Sequence, residues 1–100
     1  MLRHVVCLTW AAGTAPEDVE AVRRALVALP GRIPEIRAYT VGSDAGAAAG
    51  NADFGIVADF DDVAAWQRYQ DHPEHQRVLA ELIRPRLAAR AAIQFEVHSH

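Results

Sequence analysis

The chain has 100 residues and a mass of 10.9 kDa, the size of one domain with one hydrophobic core and no space for a second. Half of it is apolar (51%) and 23% is charged, a globular composition that excludes a disordered or fibrous protein. Ten Arg against thirteen Asp plus Glu give a net charge of −3 at pH 7, which argues against nucleic acid or an anionic membrane surface as main partner.

There is no Lys, and Ala fills twenty positions, the bias expected of a GC-rich, bacterial genome. The lone Cys7 has no intramolecular partner, and no cysteine cluster exists for zinc or an iron–sulfur centre. No stretch approaches the ~18 apolar residues of a membrane span. The run Val5 to Ala12 is short and headed by His4, so it reads as a first strand and not as a signal-peptide core. The expectation is a mature cytoplasmic protein beginning near Met1, one domain over residues 1–100.

Residues 3–10 are rich in β-branched and aromatic types and predict the first strand. Thr14 stands three residues before Glu17, a capping-box spacing, with Pro16 in the first helical turn. Val19, Val22, Leu26 and Leu29 then mark one helical face, and Pro30-Gly31 ends it. Ile36 to Gly42 predicts a second strand, Ser43 to Asn51 a loop, and Phe54 to Phe60 a third strand. Asp61 is the expected cap of a second helix that carries Ala65, Trp66 and Tyr69 on one face. Asp71 and Glu74 bracket Pro73 as a second capping box, which restarts the helix as far as Ile83, and Pro85 closes it. Ala91 to Val97 alternates Ile93, Phe95, Val97 against Ala92, Gln94, Glu96 and predicts the last strand.

The order is β-α-β-β-α-β, the ferredoxin-like α+β pattern: a four-stranded antiparallel sheet with two helices on one face. The other face has no helix to cover it. Yet Val5, Cys7 and Val57 oppose the faces of His4, Val6, Leu8 and Phe54, Ile56, so a second copy is expected to bury that face. The implied partner is a homodimer mate through the sheet.

These residues resemble the stress-responsive A/B barrel domain family, a branch of the dimeric α/β-barrel superfamily. The resemblance covers nearly the whole chain, from Arg3-His4-Val5-Val6 through Ile33-Pro34-Glu35-Ile36, Val41-Gly42-Ser43-Asp44 and Asp53 to Asp61. Its most specific element is Tyr69-Gln70-Asp71-His72-Pro73-Glu74-His75, which follows the family's Y-x-x-H-P-x-H pattern. Most members have no assigned reaction. The resemblance therefore implies a homodimer that binds a small molecule or serves a stress-related structural role.

Within that family a plant polyketide cyclase uses the tyrosine and histidine at the ends of the pattern, which fall on Tyr69 and His75. The alternative that this implies is a cofactor-independent acid–base enzyme of the cyclase or lyase type. Phe54, Leu26 and Gln94 replace a histidine, a tyrosine and an aspartate of that enzyme's pocket, which puts a polyketide substrate in doubt. Some relatives hold a cation on backbone carbonyls near the turn matching Leu29 to Ile36. Neighbouring barrel families imply a third reading, a monooxygenase-like enzyme.

His75 shares its helical face with Val78, Leu79 and Leu82, and Tyr69 shares the face of Trp66. Two roles are open to the pair: a buried Tyr–His hydrogen bond organising the kink at Pro73, or proton transfer next to a carbonyl. The candidate space between helix 2 and the sheet is expected to be lined by His4, Val6, Leu8, Phe54, Ile56, Trp66, His72 and Leu79. Its ligand would be a small carbonyl or aromatic compound, with no cofactor. The H-x-x-H of His72 and His75, with His98 and His100 as further donors, is a poor zinc site because Pro73 breaks the helical spacing. RNA-recognition motifs share this strand order, but Asp53 stands where a basic residue is needed. Tyr39 and Trp10 are read as core or rim aromatics.

Overall fold

The computed structural model describes residues 1–98. Strands β1 (Leu2–Trp10), β2 (Ala38–Ser43), β3 (Phe54–Phe60) and β4 (Leu87–Glu96) form one antiparallel sheet in the order β2-β3-β1-β4. Helix α1 (Pro16–Val27) connects β1 to β2, and α2 (Val63–Asp71) and α3 (Pro73–Val78) lie between β3 and β4. The expected α+β, ferredoxin-like order is present, with its second helix broken in two.

Strand register sorts the side chains onto two faces. On β1, Leu2, His4, Val6 and Leu8 are buried, and their partners on β3, namely Phe60, Ala58, Ile56 and Phe54, are buried as well. Val22 and Leu26 of α1, Tyr69 of α2 and Val78 of α3 pack into the same cluster, so all three helices cover that face. Seven large side chains in and around it, among them Phe60, Leu8 and Leu26, are less than 2% exposed. Each such burial is worth about 1.5–3 kcal/mol, which makes this layer the main source of stability.

The opposite face carries Val5, Cys7 and Val57 in its middle, with Ile93 and Phe95 on the edge strand beside them. Ile93 is 61% and Phe95 45% exposed, large apolar side chains left open to solvent.

Helix caps differ from expectation in three places. Ala15, not Thr14, is the N-cap of α1, because the Thr14 hydroxyl donates to the Ala11 carbonyl at 2.7 Å. Asp62, not Asp61, caps α2 by accepting from the Ala65 N–H at 2.8 Å. Asp61 is occupied by the Arg37 guanidinium through two bonds of 2.9 and 2.8 Å. At the break, His72 replaces Asp71 as the cap of α3. Its place before Pro73 holds it extended (ψ 134°), and its Nδ1 accepts the Glu74 N–H at 3.1 Å.

β4 begins at Leu87 instead of Ala91, and β2 at Ala38 instead of Ile36. The Ala-rich start of β4 has weak strand preference of its own, and pairing along the whole length of β1 overrides it. Leu79–Ile83 continues α3 as a wide π-type turn, and a 3₁₀ turn over Arg84–Arg86 leads into β4. Arg86 ties that turn down by donating to Leu82 O at 3.1 Å and pairing with Asp18 at 3.2 Å.

Candidate active site

The break between α2 and α3 brings Tyr69 and His75 over the sheet on either side of Pro73. Their rings pack with centroids 4.2 Å apart at 38°. A cavity of about 230 Å³ opens beside them. Its floor is His4, Val6 and Leu8 of β1 with Ile56 of β3, and its walls include Leu26, Leu79, Ile83 and Leu87. Gln70, Arg84 and Arg90 complete the lining. The volume is just below the roughly 300 Å³ at which sites for drug-sized ligands begin, so it suits a compact molecule.

The hydrogen bonds around the two histidines assign complementary tautomers. His75 Nδ1 faces the Gln70 carbonyl at 3.2 Å. A carbonyl only accepts, so Nδ1 carries the proton and the neutral ring keeps its lone pair on Nε2. His4 Nδ1 receives the Gln94 side-chain N–H at 3.0 Å, so its proton sits on Nε2. Neither Nε2 has a protein partner among the described residues. Only Trp66 Nε1 is there fully buried without one, so both Nε2 atoms keep some contact with solvent, and both residues line the cavity.

Both rings are held neutral. Burial pushes His4 down to about 4, with the Arg90 guanidinium and His75 adding to the shift. His75 is also lowered, mainly by burial; its bond to the Gln70 carbonyl opposes this, and Arg84 and Arg90 reinforce it. The Tyr69 hydroxyl is pushed up to about 12 by burial, against the favourable effect of its bond with Tyr39. Burial raises Tyr39 further still.

The Tyr69 hydroxyl does not bond to His75. It meets the Tyr39 hydroxyl of β2 at 2.8 Å, so of the two roles open to the pair the Tyr–His hydrogen bond is not formed and the rings pack instead. His4, Val6, Leu8, Ile56 and Leu79 line the cavity with Tyr69 and His75, whereas Phe54, Trp66 and His72 do not. Phe54 packs on Trp10 at 5.7 Å, Trp66 stands against the His4 ring at 5.7 Å, and His72 serves as the helix cap.

Sequence reasoning missed the second-tyrosine partner and both cavity arginines. Alternation in β2 and β4 carries the signal, since Tyr39 shares a face with Val41, and Arg90 shares one with Ala92 and Gln94. The Gln70 carbonyl is a backbone group and has no sequence signature. Among the described residues no three His, Cys, Asp or Glu side chains come together as metal ligands, and His100 lies outside the described residues. Near the α1–β2 turn, the Leu29 carbonyl accepts the N–H groups of Arg32 and Ile33, both at 2.9 Å.

Residues 2–97 match the family described as the Stress responsive A/B Barrel Domain, Dabb. The chain belongs to the Dabb family. Among solved structures, a dimeric ferredoxin-like protein of unknown function from Thermobifida fusca is 46% identical, with a TM-score of 0.89 over 96% of this chain and 90% of its own. A dimeric protein of unknown function from Bacteroides fragilis is 25% identical, with a TM-score of 0.78 over 96% of this chain and 95% of its own. The hydroxynitrile lyase of Passiflora edulis shares the Dabb chain's fold at 16% identity, with a TM-score of 0.85 over 99% of this chain and 94% of its own. No curated protein matches the sequence. No helix among the described residues is long and apolar enough to cross a membrane.

Proposed function

We propose that this Dabb protein is a homodimer that binds a compact carbonyl compound and moves a proton next to its carbonyl group without a cofactor. The observation carrying this reading is the pair of opposed neutral tautomers, with His75 offering a lone pair at Nε2 and His4 offering an N–H at Nε2. A base must be unprotonated and within reach of a C–H bond, and the developing enolate oxygen needs a fixed donor. His75 takes the first role and His4 the second.

Tyr69 has a positioning role through its ring, which packs against the His75 imidazole at 4.2 Å with a 38° tilt. The Tyr69 hydroxyl is itself held by the Tyr39 hydroxyl at 2.8 Å, which fixes the ring that faces His75. The second copy is assigned to the helix-free sheet face, where Ile93 and Phe95 stand exposed, as two relatives are described as dimeric.

The test needs no knowledge of the natural product. The purified chain is incubated in D2O with acetophenone and with levulinate, and loss of the α-proton signal is followed by NMR. The reading predicts exchange above background that falls by about 10²–10⁴ in His75→Ala, the range for a lost general base. Exchange no faster than background with every probe, or equal rates in a folded His75→Ala variant, contradicts it and leaves a binding or structural protein.

A further inference from the structure

The chain holds ten arginines, and eight of them pair with a carboxylate. The two that have no carboxylate partner among the described residues are Arg84 and Arg90, and both line the cavity. Carboxylates are not scarce, since the chain carries thirteen against ten cations. Even surface positions such as Arg23 and Arg37 find bidentate partners. Two guanidinium groups left unmatched at one opening therefore form a local excess of positive charge on an otherwise acidic molecule.

Each arginine is placed by its element. Arg84 opens the turn that Arg86 anchors to Asp18 and Leu82. Arg90 sits opposite Leu8 on the helix-facing side of the edge strand, four residues before the Gln94 that holds His4. Arg90 lines the same cavity as His4, Tyr69 and His75, and its charge acts on all three.

We infer that the ligand is a compact organic carboxylate, gripped at its anionic end by Arg84 and Arg90 while its uncharged body enters the apolar part of the cavity beside His4 and His75. A planar guanidinium matches a carboxylate through paired N–H donors. The apolar walls formed by Leu26, Leu79 and Ile83 favour a ligand with a hydrocarbon body over a small inorganic anion. This inference deepens the proton-transfer reading by naming the substrate class, but it stands on the arginines and not on turnover.

Benzoate and its uncharged counterpart benzamide are titrated into the full chain by calorimetry at low ionic strength, with inorganic phosphate as a third probe. Benzoate is expected to bind at least on the order of tenfold more tightly than benzamide. Arg90→Gln and Arg84→Gln should each remove most of that preference. Arg90→Lys, which keeps the charge but not the planar fork, should retain part of it and serves if the Gln variant folds poorly. Equal binding of benzoate and benzamide, no binding of benzoate, a preference that survives both Gln substitutions, or phosphate binding as tightly as benzoate overturns the inference. Carboxylate binding without deuterium exchange would refute only the proton-transfer reading. Exchange of acetophenone without benzoate binding would refute only the carboxylate.

Discussion

The hydroxyls of Tyr39 and Tyr69 lie 2.8 Å apart and join the start of β2 to the last turn of α2. Tyr69 is 2% exposed and also packs on Phe60 at 4.9 Å and on His75 at 4.2 Å, so one side chain ties the sheet, the helix break and the candidate base together. Removing either hydroxyl leaves the other in a dry site without its partner. Tyr39→Phe and Tyr69→Phe should each cost about 1–3 kcal/mol in urea denaturation. The double variant should cost less than the sum, because it leaves no orphan behind. Additive losses would show that the two hydroxyls do not depend on each other.

Stability should fall on mild acidification, before the carboxylates titrate. His4 titrates at about 4 in the folded chain against 6.5 ordinarily. Between those values the unfolded chain binds the proton and the folded chain does not. The contribution is thus fully present above about pH 6.5 and is lost as pH falls towards about 4. It is on the order of 3 kcal/mol for this largely buried ring. His75, also lowered, acts in the same direction. Asp59 and Asp61, held low by Arg3 and Arg37, lose their contribution only further down, from the ordinary carboxylate range downwards. Urea midpoints between pH 7 and 5 should therefore drop in the native chain and drop less in His4→Gln. An equal slope in the two proteins would remove His4 as the source.

The exposed sheet face makes its own prediction. Ile93→Asp with Phe95→Asp places two charges where the second copy is assigned, and both side chains are solvent-exposed in the single chain. Light scattering should give about twice 10.9 kDa for the native chain and the monomer mass for the variant, with far-UV dichroism unchanged. A native monomer, or a variant that still dimerises, contradicts the assignment of this face.

Much of this arrangement was legible from spacing. β3 has the bounds that its run of strand-forming residues predicts, Phe54–Phe60, and the alternation on β1 places His4 with Val6 and Leu8 towards the core. The Tyr69–His75 proximity follows from two helical faces meeting at Pro73. What spacing misses is competition for a group. Asp61 looks like a cap, but Arg37 on another element claims it, and Asp62 takes over. Asp71 looks like the next cap, but the proline fixes His72 in the extended region and puts its Nδ1 in place. Arg84 and Arg90 were invisible as a pair because they meet only when the turn and the edge strand close on the same cavity. The tautomers were equally hidden, since each depends on one long-range or backbone partner.

The account rests on those tautomers, and long-range ¹H–¹⁵N NMR of the imidazoles at pH 7 reads them directly. It predicts a neutral His75 protonated at Nδ1 and a neutral His4 protonated at Nε2. Gln94→Glu should move the His4 proton to Nδ1, because a carboxylate accepts where the amide donates, and should leave the His75 pattern as it is. A charged His75 at pH 7, or one protonated at Nε2 instead of Nδ1, would leave the cavity without a base and contradict the account.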